Sequence, residues 1–144
     1  MSQQGNSRIG ELLVREKLLS LQQLQQAQEE ARRTGKRLAT TLAKMGLVKD
    51  ADLTQVVARQ YSLPTINLSE IDIDQTVLKL IPKEICERHQ VIPVRRNGAT
   101  LVVAMADPSN LVAINEVKFL TGYDVKIAVA GATAIQRALD RYYD

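Results

Sequence analysis

The stretch from Arg8 to Gln60 contains one sequence pattern twice, with a period of 29 residues. Each copy opens with a basic, an aliphatic and a small residue, which are Arg8-Ile9-Gly10 in the first copy and Arg37-Leu38-Ala39 in the second. Apolar residues at helical spacing follow, then a break and a second apolar run. A pattern repeated at this interval predicts a helix-turn-helix unit present in duplicate.

In the first copy we expect a mobile polar tail over residues 1–7 and a short helix over residues 9–16. Ser20 is suited to cap the next helix, because Gln23 three residues later can complete a capping box. In the second copy we expect a helix over residues 38–45. Its end is followed by a left-handed Gly46, and Asp50 is suited to cap the next helix.

Beyond the repeats, residues 62–74 alternate Pro, Asn and Ser with single aliphatic residues, which predicts an extended connector. A helix is expected over residues 82–89. Two β-branched runs then flank Asn97-Gly98, which is a strong hairpin signal.

The remainder of the chain predicts a helix, a strand and a helix. Ser109 is suited to cap the first of these helices and Gly122 to end it, and the following segments are residues 123–129 and 132–143. The predicted fold class is α+β, with an all-helical subdomain over residues 1–63, a connector over residues 64–75, and a small α-β-β-α-β-α subdomain over residues 76–144.

Charge is distributed unevenly along the chain, whose formal net charge is +3. Residues 1–63 hold 10 Lys and Arg against 6 Asp and Glu, whereas residues 64–144 hold 9 against 10. An anion is therefore expected to bind the first half. DNA binding is disfavoured, because the basic excess is small and no helix carries a dense face of Arg and Lys.

The sequence also limits the compartment and the chemistry. It has one cysteine, no apolar run long enough to span a bilayer and no apolar signal-peptide core, so we expect a cytoplasmic protein that meets a membrane only through partners. It lacks the Gly-Lys-Ser/Thr string of a phosphate-binding Walker loop, so the chain is not expected to be an ATPase by itself. No catalytic residue is assigned.

Cys86 and His89 lie three residues apart on a predicted helix, a spacing that suits metal ligands or a nucleophile with its base. A structural metal site needs more ligands than one Cys and one His provide. We therefore expect a packing or surface role for this pair and no metal.

Arg8 and Arg37 are the candidate binding residues that the repeat itself indicates. Each precedes a small residue at a predicted helix start, where free N–H groups favour an anion and a guanidinium can bind phosphate in two-pronged fashion. Two such corners suit a ligand with two phosphates and approximate twofold symmetry. The alternative is that both arginines are surface residues that merely begin helices.

The repeat resembles the paired motifs of the MshEN group, the N-terminal domain of type IV pilus assembly and type II secretion ATPases, whose pattern is RLGxxLxxxGhhxxxxLxxxLxxQ with h aliphatic. Five residues separate the two copies in that family, and here residues 32–36 do so. The stretches IPKEICERHQVIPV, LVVAMADPSN and FLTGYDV continue the resemblance through the second half. The resemblance implies a regulatory and docking domain before a hexameric motor, with cyclic di-GMP bound across the two motifs.

Carried over residue by residue, the resemblance implies that Arg8 and Arg37 meet phosphates or guanine edges, and that Gln60 makes a polar contact. The rest of the implied cyclic di-GMP site is an apolar bed with the residues around it, namely Ile9, Gly10, Leu24, Gln28, Leu38, Leu53 and Val57.

Among the chain's departures from the family pattern, four concern the implied nucleotide site. Ala39 replaces the small glycine of the second copy, Lys17 replaces the central glycine of the first, and Gln28 and Ala31 replace its late leucine and terminal glutamine.

The resemblance and these departures together lead to two alternative functions. The first is a cyclic di-GMP sensor, and the second is a protein-interaction module whose nucleotide site has degenerated. The implied partners are the C-terminal ATPase motor of the same polypeptide and cytoplasmic components of the inner-membrane assembly platform. For the platform contact we expect an apolar patch rimmed by charge in the second half, with Arg95, Arg96 and Tyr143 as candidates. The alternative is that these three are ordinary solvated positions.

Overall fold

The computed structural model describes residues 2–143, with side chains described from Ile9 onward. Four helices form the first half: α1 (Ser2–Arg15), α2 (Leu21–Thr34), α3 (Leu38–Lys44) and α4 (Asp50–Tyr61). A 3₁₀ turn (Leu68–Glu70) leads to the second half: α5 (Gln75–Leu78), α6 (Lys83–His89), β1 (Val91–Asn97), β2 (Thr100–Met105), α7 (Leu111–Thr121), β3 (Asp124–Val129) and α8 (Ala132–Tyr142).

The two copies of the repeat end their first helices in the same way. In the first copy, the N–H groups of residues 16, 17 and 18 bond to the carbonyls of residues 12, 14 and 13. Residues 45, 46 and 47 make the equivalent bonds to residues 41, 43 and 42. This closure requires a left-handed residue, which is Gly46 (φ 69°) in one copy and Lys17 (φ 63°) in the other. The turn geometry is thus kept although the glycine is lost.

The starts of the helices are less alike. The capping box at α2 is confirmed, because the Ser20 side chain accepts from the N–H of Gln23 and the Gln23 side chain accepts from the N–H of Ser20. The expected cap at Asp50 is wrong: Lys49 occupies the cap position without a side-chain bond, and Asp50 is the first residue of α4. Asp50 still lies where the helix dipole favours a carboxylate.

Helix α1 begins at Ser2, so the expected tail is wrong over residues 2–7, as is the helix start at Ile9; residue 1 lies outside the described residues. Apolar residues from all four helices then form one core, in which Leu13 and Leu42, equivalent positions in the two copies, are fully buried. Gly10 allows α1 to approach α2, because a Cβ added there would lie 2.7 Å from Leu24 Cδ1.

The second half contains a three-stranded sheet of order β1-β2-β3, in which β1 pairs with β2 antiparallel and β2 with β3 parallel. The hairpin is present but lies one residue later than predicted, because Asn97 pairs with Thr100 and the loop is Gly98-Ala99. Gly98 has φ 61°, as the first position of a two-residue hairpin turn requires. Strand β2 is buried on both faces, since Leu101, Val102 and Val103 are consecutive core residues.

Two further expectations are corrected here. Asn110, not Ser109, caps α7, because its side chain accepts from the N–H of Ala113. The segment predicted as a plain extended connector contains the 3₁₀ turn and is packed, with Leu68 and Ile73 buried in the second core. Helix α5, capped by Asp74, was not predicted, because a single turn leaves too short an apolar pattern to detect.

The two halves are joined through Val129 at the end of β3. Its N–H donates to Pro64 O and its carbonyl accepts from the N–H of Ile66, while its side chain lies in the core of the helical half. Nearby, Gly131 meets Asp50 so closely that an added Cβ would lie 1.7 Å from Asp50 Oδ2. The expected domain boundaries at residues 63, 64, 75 and 76 stay a prediction.

Lys17→Gly is expected to stabilise the fold by about 0.5–1 kcal/mol, because it relieves left-handed backbone strain in a non-glycine residue while adding freedom to the unfolded chain. Urea denaturation measures the difference. The matched variant is Gly46→Lys at the equivalent position, which should destabilise by a similar amount. Unchanged stability in both variants would show that the turn tolerates either residue.

Candidate functional site

Arg37 lies at a helix start, as the sequence predicts. It is the cap residue of α3, with an extended backbone and no side-chain cap bond. Its Nη1 lies 2.5 Å from Asp107 Oδ2, in an ion pair whose side chains are 36% and 12% exposed. Asp107 belongs to the second half, so this guanidinium is held between the two halves of the molecule.

Asp107 is a residue that the sequence analysis did not single out. Besides Arg37, its other oxygen Oδ1 accepts from the N–H and the hydroxyl of Ser109, at 3.0 and 2.5 Å. The Asp-Pro-Ser sequence at the end of β2 signals such a turn. Its long-range partner on α3 could not be read from that local signal.

Arg8 does not occupy a helix start. It lies inside α1, so the N–H groups after it belong to helical turns and the expected anion-binding corner is absent there. The two copies therefore differ at their first motif residue. The Arg8 side chain lies outside the described residues.

The five apolar residues of the implied bed come together, but in the core of the helical half. Each is at most 6% exposed; they are Ile9, Leu24, Leu38, Leu53 and Val57. Gly10 is buried as well, and its close approach to Leu24 explains the small residue by helix packing alone. A ligand would meet only the edges of these side chains unless the helices separate.

The polar members of the implied site lie nearer the surface. Gln28 and Gln60 are half-buried. Gln60 Oε1 is buried, and no hydrogen-bond partner for it exists among the described residues. An acceptor in this state costs about 1–3 kcal/mol, so it would gain from a donor supplied by a ligand. The first copy has Ala31 at the equivalent position and lacks this acceptor.

Cys86 and His89 contact different partners, as expected for packing roles. The Cys86 thiol is buried and donates to Tyr143 Oη at 3.6 Å, while His89 Nε2 lies 2.6 Å from Glu116 Oε2. Burial raises the pKa of the Cys86 thiol to about 11, and the hydrogen bond with Tyr143 offsets only part of this. Within the part of the chain that the structure describes, no group of His, Cys, Asp and Glu side chains could hold a metal ion.

Tyr143 was expected at a docking surface, but its side chain packs against the second half instead. Its hydroxyl lies 2.8 Å from Leu78 O and 3.1 Å from Ile81 O, and burial, followed by the neighbouring Cys86, raises its pKa. The Tyr143 side chain therefore connects the C-terminal end of α8 to the core of the second half. Arg96 is exposed, but it donates to Tyr123 Oη at 2.8 Å, and Arg95 is exposed beside it.

The apolar patch expected in the second half lies on α7. Leu111, Val112 and Phe119 are 66%, 70% and 93% exposed. Val112 and Phe119 are seven residues apart and so lie on one side of the helix. Among residues 2–143, no helix is long and apolar enough to cross a membrane.

Cys86 is expected to react with a disulfide reagent at pH 8 about a hundredfold more slowly than an unperturbed thiol, because a raised pKa lowers the thiolate fraction. Ellman's reagent measures the rate in the native protein and in urea. An exposed thiol, Ser69→Cys in a Cys86→Ser background, is the control. Equal native rates for the two thiols would contradict the buried environment.

Comparison with known proteins bears on this arrangement. A family model described as the MshEN domain matches residues 61–144, which follow the repeated motifs. The chain is 48% identical over 138 residues to the type IV pilus assembly ATPase PilB of Myxococcus xanthus, covering 96% of this chain and 24% of that protein. It is 35% identical over 117 residues to PilB of Thermus thermophilus, covering 78% and 13%. The chain thus spans about a quarter or less of these relatives.

Two solved structures share the fold. The structure of MshE with cdg matches with a TM-score of 0.74 and 34% identity, covering 94% of this chain and 98% of that one. The N-terminal domain of XpsE matches with a TM-score of 0.83 and 23% identity, covering 97% and 96%. The α+β fold class and the resemblance are confirmed. Because the family model covers more than half of it, the chain belongs to the MshEN domain family.

Proposed function

We propose that this chain is the regulatory and docking domain of a type IV pilus assembly or type II secretion motor, and that it binds cyclic di-GMP through its repeated motifs. The observation that carries the proposal is the 34% identity, over 94% of this chain, to MshE, a protein solved with cdg, the usual abbreviation of cyclic di-GMP. The C-terminal ATPase motor of the same polypeptide is then its first partner.

Arg37 is the residue best suited to bind the ligand. A guanidinium can donate two parallel hydrogen bonds to a phosphate or to a guanine edge. At 36% exposed, the Arg37 side chain is accessible, and the ion pair with Asp107 holds it in a defined place. Its Nη1 donates to Asp107, and its other side-chain donors, which have no partner among the described residues, can bind a ligand.

Gln60 supplies the second polar contact. Its unpartnered Oε1 can accept from the N1–H or the amino group of a guanine, which places a base beside α4. The site is asymmetric, because the first copy has Ala31 at this position and carries its arginine inside a helix. We therefore expect the second copy to contribute most of the binding free energy.

Calorimetric titration of the chain with cyclic di-GMP tests the proposal. Binding should saturate, and Arg37→Ala should raise Kd by about tenfold or more, since it removes charge-assisted hydrogen bonds. Arg8→Ala should have a smaller effect. The control is Arg33→Ala, because Arg33 is exposed and pairs with Glu30 on its own helix. No heat at about 50 μM ligand would reject the sensor and leave the interaction module.

The second candidate function, docking on the membrane assembly platform, is favoured by the exposed apolar face of α7, formed by Leu111, Val112 and Phe119. A phenylalanine that is 93% exposed leaves most of its apolar surface in water, and burying it in a partner is favourable. The occupant we propose is a cytoplasmic component of that platform.

The double variant Val112→Glu with Phe119→Glu should reduce capture of purified platform components by about tenfold or more, because it places two charges in an apolar contact. Its counterpart on the hairpin is Arg95→Glu with Arg96→Glu, which we expect to leave capture unchanged. Loss of capture only in the hairpin variant would move the docking surface from α7 to the sheet edge.

A further inference from the structure

Helix α7 carries four of the six large apolar side chains that are exposed among the described residues, namely Leu111, Val112, Phe119 and Leu120. Seven of the 11 residues of this helix are apolar, and they are distributed around its whole circumference. A helix that is apolar on all sides is normally buried on all sides. The second half covers the inner side of α7, so its outer side is suited to contact with another molecule.

The outermost line of α7 runs through Leu111, Asn115 and Phe119, which we call the outer ridge. Ala113 and Val117, which are 0% and 1% exposed, define the inner side of the helix. At 3.6 residues per turn, Asn115 lies about 160° around the helix from each of them, on the opposite side. Leu111 and Phe119 lie four residues before and after Asn115, and residues four apart form a continuous ridge on a helix surface. The outer ridge is therefore apolar at both ends and polar at its centre.

The outer ridge is complementary to itself. When two copies of α7 cross about a twofold axis at Asn115, Leu111 of one copy lies against Phe119 of the other, and the same contact recurs across the axis. Ridges of residues four apart pack together in the commonest class of helix crossing. Lys118 is exposed beside the ridge, and the axis places the two copies of it on opposite sides of the contact. No like charges are then brought together.

Asn115 distinguishes a second copy from a purely apolar partner. It is exposed at the centre of the ridge, so any molecule that covers the ridge buries its amide. A buried amide without a hydrogen-bond partner is unfavourable, and an apolar helix offers it none. In the twofold arrangement the two Asn115 amides meet at the axis, where each can donate to the carbonyl oxygen of the other. A polar residue at the centre of an apolar helix contact also fixes the register of that contact.

The size of the ridge favours a weak, reversible dimer. Leu111 and Phe119 leave 66% and 93% of their surface in water, and the contact buries both side chains of both copies. A crossing of two short helices nevertheless buries less than the ~800 Å² per partner of a standard stable interface. We therefore expect a Kd on the order of 100 μM.

We propose that the outer ridge of α7 binds the same ridge of a second copy of this chain. The dimer goes beyond the proposed docking function, because it gives the exposed face of α7 a second partner. The platform component and the second copy contact the same side chains, so they exclude each other. A platform component that binds this face must first separate the two copies.

Sedimentation equilibrium of the whole chain, at concentrations from about 10 μM to about 1 mM, tests the dimer. The apparent mass should rise with concentration from that of one chain toward that of two. Asn115→Asp should raise Kd by about tenfold or more, because it places two carboxylates together at the axis. Gln26→Glu on α2 is the matched control: Gln26 is exposed, and the variant makes the same change from amide to carboxylate. It should leave Kd unchanged.

Disulfide formation locates the axis independently. In a Cys86→Ser background, Asn115→Cys places one thiol of each chain at the axis, where Cα atoms of crossing helices come within the roughly 4.4–6.8 Å that a disulfide spans. Mild oxidation should yield the covalent dimer at least about fivefold faster than Ser69→Cys in the same background, because Ser69 is exposed and lies outside α7. Circular dichroism checks that all variants are folded.

A mass that stays that of one chain up to about 1 mM overturns the dimer. So does an equal weakening by Asn115→Asp and Gln26→Glu. Equal rates of cross-linking at positions 115 and 69 would place the contact outside the outer ridge and overturn it as well. Capture of purified platform components by a chain that remains monomeric would leave the docking function standing without the dimer. Dimerisation without such capture would leave the dimer standing without the docking function.

Discussion

Burial of the apolar faces of two repeats in one common core is the interaction on which the helical half depends. Leu13 and Leu42, equivalent positions in the two copies, are fully buried in this core. A single helix-turn-helix of this length cannot bury its apolar face alone, whereas two copies cover each other. The motif's apolar residues, such as Leu24 and Leu53, are therefore required for folding whether or not a ligand binds.

The contact between the two halves fixes the position of the Arg37 side chain, which the repeated sequence pattern alone does not determine. Val129 lies at the end of a strand in one half and is packed in the core of the other. The same junction brings Asp107, at the end of β2, to the start of α3. A ligand that takes the Arg37 guanidinium must compete with Asp107 or share the donors with it. A ligand bound to Arg37 would then alter the ion pair of Asp107, which lies in the turn that precedes α7.

In the folded molecule, part of the excess positive charge of the first half is concentrated in one place. Lys36 and Lys44 line a cleft between the two halves of the molecule, and Arg88 lines it as well. An excess that looks small over 63 residues is locally dense, because the ion pairs elsewhere neutralise other cations such as Arg33 and Arg59. The field in the cleft is therefore stronger than the net charge suggests.

The elements of the fold were predictable where the signal is local. The capping box at Ser20, the left-handed Gly46, the hairpin near Gly98 and the final helix depend on neighbouring residues, so the sequence carries them directly. The predicted cap position was wrong where two neighbouring residues are both suited to it, as Ser109 and Asn110 are at the start of α7. The single-turn helix α5 was not predicted, because its apolar pattern is too short to detect.

The candidate site was predictable only in part. The repeat identified Arg37, but its partner Asp107 lies 70 residues away and belongs to no shared pattern. Nor does spacing show that Gln60 keeps an oxygen without a partner among the described residues or that Lys36 and Lys44 line one cleft, since both facts depend on how the helices pack. The sequence by itself determined the duplicated helical unit and the change of period after it, because periodicity is a local property. Tertiary structure alone decided which side chains of the two halves meet, because the geometry of the joint places them.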